Sequence, residues 1–249
     1  MSLFKTMKQS VPSIITELNL ISGVISIILA FNNQVTIACM FVLLAAFFDL
    51  FDGLVARLLN AVSDFGKQID SLADVVSFGV APSIILYRYI NIYVYPFENF
   101  NSNYIDCSLT EIALLFLTVS PAVFGSLRLA RYNISKSSGN HFQGIPIPAS
   151  ALFVLGLWLF NQAYAISLLS KPIVIAILVM SVCLLMVSNI TMLSLKTKGN
   201  STYTNIYLVS FVIGVIVMGI VFKLAALFPV MLFYITLSFL HGIFEKKNF

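Results

Sequence analysis

Four aspartates hold most of the chemistry this sequence offers. Asp49 and Asp52 are three residues apart, and Asp70 and Asp74 are four apart, so each pair shares a helix face. With Asp64 they place five of the ten acidic residues between positions 49 and 74, in a chain that is 59% hydrophobic. Carboxylates without histidine or cysteine suit hard ions such as Mg2+ or Mn2+, which complete their shells with substrate phosphates. In an apolar setting each unpaired charge costs about 2.5–3.5 kcal/mol on the insertion scale. Arg57 and Lys67 are too few to neutralise four such charges, whereas a divalent cation would. Gly53 and Ala56 follow Asp52 by one and four residues. Small residues there either pack a neighbouring helix or let a bulky group lie against the backbone. Beside four carboxylates the second reading is favoured.

The scaffold for these residues is read from hydropathy. Only 10% of the 249 residues are charged and the mean hydropathy is +0.99, which excludes an ordinary soluble domain. Long apolar runs recur and barrel-type alternation is absent, so the expected fold is all-α, a polytopic transmembrane helical bundle. About eight spans are predicted, near 12–31, 36–58, 70–92, 110–132, 147–168, 172–194, 203–223 and 225–243, in one integral membrane domain over 1–249. The first contains Pro12, Glu17 and Asn19 and reads as partly interfacial. The aspartates close the second span and open the third. If those two spans pack as neighbours, all four converge at one membrane edge. Asp49 precedes Arg57 by eight residues, roughly 12 Å of helical rise.

Lys and Arg set the orientation. A cytoplasmic N-terminus puts eleven of the fourteen on the cytoplasmic side, leaving Lys171 and Lys223 outside and Arg88 within the third span. Both termini, and the carboxylate edge, are then cytoplasmic. The net charge of +4 reflects this bias and attraction to anionic membrane lipids, not nucleic-acid binding. Cys39, Cys107 and Cys183 are far apart and read as small buried residues. No cleavable signal is evident. Tyr and Phe residues at 87–100 read as an interfacial aromatic belt, Trp158 as lipid-facing or packing, and Arg88 as snorkelling or paired with Glu98.

Asp49-x-x-Asp52-Gly53-x-x-Ala56-Arg57, eight residues, Gly66, three residues, Asp70, three residues and Asp74 resembles the signature of the CDP-alcohol phosphotransferase family in every specified position. The family joins a CDP-activated lipid or alcohol to an acceptor hydroxyl and releases CMP. The resemblance implies that Asp49, Asp52, Asp70 and Asp74 hold divalent metal against the diphosphate. It implies that Asp52, Gly53, Ala56, Arg57 and Gly66 help seat CDP, with Asn19 beside them, and that Asp74 is the general base. "SDFGKQIDSLADVVSFGVAP", "SLRLARYN", "FQGIPIPASA", "MVSNI" and "TELNLISG" resemble the membrane phosphatidylserine synthases within that family. Ser71 stands where the phosphatidylglycerophosphate-type enzymes are expected to have Pro. The likeness covers about 10–195, the expected catalytic part. It leaves 200–249 as a C-terminal helix pair without assigned chemistry, and "TMLSLK" (Thr191–Lys196) without a role.

The activity this implies is transfer of the phosphatidyl group from CDP-diacylglycerol to L-serine by direct attack, with metal assistance and a carboxylate base. His141 and His241 lie outside the motif, and no paired histidine motif supports a covalent route. Arg128 and Arg131 share a helix face near Asn133; they suit serine's carboxylate or a lipid phosphate, or are ordinary positive-inside flanking. The Pro146–Pro148 stretch is either a linker or an extended wall of the acceptor pocket. A homodimer is expected by analogy with the family. Rivals are a sister enzyme using glycerol phosphate, inositol phosphate or choline, and a cation transporter. The latter would place its carboxylates near the midplane and carry internal repeats.

Overall fold

The structure, a computed structural model, describes residues 2–59, 61, 63–95, 108–134, 144–190 and 202–247, with side chains described outside 2–11, 202–206 and 241–247. Helices and short connections make up this set, and no strand occurs among the described residues. The first hairpin pairs α1 (Ser2–Phe31) with α2 (Val35–Leu58). Its turn holds Asn33 at φ 63°, a left-handed conformation that asparagine tolerates. A continuous rod follows. It consists of α3 (Asp64–Asp74), a π-helical turn (Val75–Val80), α4 (Ala81–Tyr89) and a second π turn (Ile90–Val94). Then come α5 (Leu109–Ile134), α6 (Ile147–Tyr164), α7 (Pro172–Val187), α8 (Thr202–Phe222) and α9 (Leu227–Lys247).

Each expected span thus has its helix. Six stretches of the described residues are long and apolar enough to cross a membrane, the last, Tyr207–Leu240, running through both α8 and α9; Pro172–Val187 is a shorter apolar helix. This is an integral membrane protein. Three boundaries differ from expectation for local reasons. The first helix runs through Pro12 unbroken. The third starts at Asp64 because Ser63 caps it, its hydroxyl accepting from Gly66 N at 3.0 Å. The sixth stops at Val187, where Ser188 turns extended (ψ 154°).

Apolar burial cannot distinguish a helix face from lipid, so association rests on close approach and buried polar contacts. Gly79 sits against α5, where an added Cβ would lie 3.2 Å from Ala122 Cα. Gly156 lets α6 meet the start of α9, where a Cβ would lie 2.5 Å from Phe228 N. At the first π turn Ala81 N bonds Val76 O, five residues back. The wider turn suits a rod that must pass Pro82, whose ring clashes in a regular α-helix and which has no N–H to give it.

The aromatic residues after position 87 are not all belt. Tyr89 is buried, its hydroxyl donating to Leu169 O at 2.9 Å, and it stacks with Tyr93 and Trp158. Trp158 is a packing residue, with Nε1 donating to Thr36 Oγ1 at 3.2 Å. Cys39 and Cys183 are buried and free, as expected. Arg88 Nε is buried without a hydrogen bond; Glu98, its expected partner, lies outside the described residues, as do Cys107, Lys136, His141 and the 191–196 stretch, along with the side chain of His241.

Candidate active site at one end of the bundle

The carboxylates meet because the second and third spans pack as neighbours, α2 lying against the π turn and α4 of the rod. α1 packs along α2 and also against α3 and the π turn, so it touches both acidic helices. Asp49, Asp70 and Asp74 each bring one carboxylate oxygen within 4.8 Å of the others. Asp49 and Asp74 are within hydrogen-bonding reach of each other, and the charges of Asp49, Asp52 and Asp70 all act on Asp74.

Two α1 side chains hold the cluster. Thr16 Oγ1 lies 2.7 Å from Asp52 Oδ2 and 3.1 Å from Pro12 O. Asn19 Nδ2 donates to Asp74 Oδ1 at 3.3 Å. Asn19 is itself fixed from the rod, because Ser77 Oγ donates to its backbone carbonyl at 3.0 Å. Thr16 and Ser77 carry no role in the sequence reading. The signal for Thr16 was its place three residues before Asn19, on one face of one helix. Ser77 has no such signal, since its contact depends on how α1 crosses the π turn.

Among the described residues no aspartate of the cluster forms a salt bridge, although the charges of Arg128 and Asp74 act on one another. Lys67 Nζ is 4.0 Å from exposed Asp64 instead, and Arg57 Nε donates to Gly53 O at 2.8 Å. Asp70 Oδ1 is buried and unbonded. Several negative oxygens gathered in an apolar surround need a cation or a shared proton. The donor set, oxygens only and more than one carboxylate, suits a hard divalent ion.

Gly53 faces open space, whereas Gly66 is closed in by the cap of its own helix. A Cβ on Gly53 would meet only Arg57 Nη2, at 3.9 Å, and one on Gly66 only the capping Ser63 Oγ, at 3.1 Å. Neither glycine is therefore held against another helix. Ala56 is half-buried and Arg57 exposed on the same helix. The open backbone at Gly53 directly follows Asp52.

The end of α5 lies near the same cluster. Arg128 is half-buried, its Nε is buried without a hydrogen bond, and the charge of Asp74 acts on it. Arg131 Nη1 donates to Val187 O at 3.0 Å, and Asn133 Nδ2 donates to Ser71 Oγ at 2.9 Å. The Pro146 segment is more than a slack linker. Gly144 (φ 71°) and Ile145 donate to Ile190 O and Leu185 O, at 3.0 and 3.3 Å. A Cβ at Gly144 would lie 2.5 Å from Met186 O, so only glycine suits the position.

Fold and site together define a polytopic membrane protein with an acidic cluster whose oxygen donors suit a divalent cation, beside the open helix backbone at Gly53. Residues 9–188 match the family model described as CDP-alcohol phosphatidyltransferase, and the chain belongs to that family. It is 34% identical over 201 residues to the archaetidylserine synthase of Methanothermobacter thermautotrophicus strain Delta H, covering 78% of this chain and 73% of that protein. It is 36% identical over 180 residues to the CDP-diacylglycerol–serine O-phosphatidyltransferase of Bacillus subtilis strain 168, covering 72% and 88%. With the enzyme of that name from Helicobacter pylori strain J99 it shares 39% over 155 residues, 61% of this chain and 59% of that one. Helices α8 and α9 lie beyond the family match.

Proposed function

We propose that this protein transfers the phosphatidyl group of CDP-diacylglycerol to the hydroxyl of L-serine, giving phosphatidylserine and CMP. The observation that carries the reading is the three-carboxylate cluster on α2 and α3, with the open backbone of Gly53 directly after Asp52. Support for serine comes from relatives whose names specify it as acceptor.

Asp49, Asp70 and Asp74, with Asp52 beside them, would hold Mg2+ or Mn2+, which when bound offsets negative charge on the diphosphate. Thr16 keeps Asp52 in place, and Asn19 does so for Asp74. Gly53, Ala56, Arg57 and Gly66 seat the CDP moiety, Gly53 by leaving room and Arg57 by its charge. Asp74 accepts the proton of the serine hydroxyl as that oxygen attacks the lipid-side phosphorus. A new P–O bond forms to serine, the P–O bond to CMP breaks, and CMP leaves with the electron pair. Arg128 meets the acceptor's carboxylate or the lipid phosphate, with Arg131 and Asn133 at the same helix end.

The catalytic part spans about 10–195 and the C-terminal pair packs on it through Gly156. The enzyme sits in a bacterial cytoplasmic membrane with both termini inside, on the distribution of Lys and Arg. A homodimer follows by analogy with the family.

Purified protein with CDP-diacylglycerol, Mn2+ or Mg2+ and a panel of acceptors tests the proposal by CMP release. L-Serine should support turnover and glycerol 3-phosphate or inositol phosphate should give little. Comparable rates with either would move the protein to a sister activity.

A further inference from the structure

The polar groups at the end of α5 are not equivalent, although the sequence places them together. Arg131 and Asn133 spend hydrogen bonds on the protein itself: Arg131 on Val187 O at the end of α7, Asn133 on Ser71 Oγ in α3. Ser71 in turn donates to Lys67 O at 2.9 Å, so its one proton is committed and its lone pairs face Asn133. Arg128 is different, with a buried, unbonded Nε, set among Tyr132, Tyr234 of α9 and, less strongly, the charge of Asp74. Ser71 lies between Asp70 and Asp74 in sequence, so the bond from Asn133 ties α5 directly to the acidic helix. The two bonds tie the end of α5 to α3 and to the end of α7.

We propose that Ser71 and Asn133 form a positioning pair that sets acceptor selectivity by registering Arg128 against the acidic cluster. The inference rests on the proposed serine-dependent transfer and refines it: Arg128 meets the acceptor's carboxylate, while Asn133 touches protein. The bond lies at the rim, where water competes, so its effect is that of one modest hydrogen bond.

Ser71→Ala, Asn133→Ala, the double variant and Ser71→Thr are compared by steady-state kinetics against L-serine and CDP-diacylglycerol. Each single alanine variant should raise the serine KM about three- to tenfold, leaving kcat and the CDP-diacylglycerol KM within about twofold. The double variant should be no worse than either single one, because both remove the same bond. Ser71→Thr keeps the oxygen and should restore the wild-type KM. Mn2+-supported CMP binding by each variant, a readout without turnover, should be unchanged and certifies the fold. A serine KM unmoved in both single variants, or multiplying losses in the double, refutes the positioning pair while leaving the transferase reading intact. A wild-type protein with no serine-dependent CMP release refutes the transferase reading and this inference with it.

Discussion

Gly53→Ala separates a binding surface from a packing surface, because the structure predicts opposite signs for stability and affinity. An added methyl would meet only Arg57 Nη2, at 3.9 Å, an ordinary van der Waals distance. Folding should therefore not suffer. Replacing glycine within a helix by alanine gains about 0.5–1 kcal/mol, chiefly by restricting the unfolded chain. The same methyl projects into the space beside Asp52 assigned to the diphosphate. Overfilling a close contact costs about 1–3 kcal/mol, roughly 5- to 150-fold in affinity. Thermal unfolding in detergent and initial rates against CDP-diacylglycerol read the two quantities from one preparation. The expected result is a Tm equal to or above wild type, a CDP-diacylglycerol KM raised by that factor, and a serine KM little changed. Wild-type kinetics in a stable variant would show that nothing lies against Gly53 during turnover. A lowered Tm would show that Gly53 packs against protein after all, as in a dimer, and the binding argument from its open side would fall.

The remaining expectations are these. EDTA should abolish activity and Mn2+ or Mg2+ restore it, because the clustered aspartates form no salt bridge among the described residues; full turnover in EDTA removes the central argument. Asp74→Asn should lower single-turnover rates by about 10²–10⁴-fold with a smaller loss of Mn2+-supported nucleotide binding, whereas Asp52→Asn should weaken that binding first. Equal binding losses would make Asp74 chiefly a ligand. Thr16→Val removes the 2.7 Å contact to Asp52 and should weaken Mn2+-supported nucleotide binding roughly tenfold, the scale of a hydrogen bond to a charged group; unchanged binding would mean that Asp52 holds its place without α1. Gly156→Ala forces the backbone of Phe228, 2.5 Å from the new atom, to move. It should lower thermal stability by about 1–3 kcal/mol, and an unchanged Tm would show that the α6–α9 contact yields easily.

Much of this protein was legible in one dimension because the deciding physics is local. Hydropathy located every expected span, since a span needs only length and apolar composition, but not the polar start of the rod at Asp64, which Ser63 caps. Spacings of three and four paired the aspartates on their faces, since helical geometry alone fixes which residues share a face. The spacing of eight positions carried the family. What those faces meet depends on packing, and periodicity does not encode it. The sequence paired the second and third spans, and they do pack, through the π turn and α4; only the structure adds α1, whose Thr16 and Asn19 hold Asp52 and Asp74. Gly53 could have been a packing residue or a space, and only the distances around it decide. Tyr89 has the composition of a membrane belt but is buried against Trp158, because α6 lies across that end of the rod. Arg128, Arg131 and Asn133 look alike as polar residues closing a span, yet Asn133 bonds α3, Arg131 bonds the end of α7, and Arg128 keeps a buried, unbonded Nε. A side chain's type sets what it can bond, and only the tertiary arrangement sets which partner reaches it.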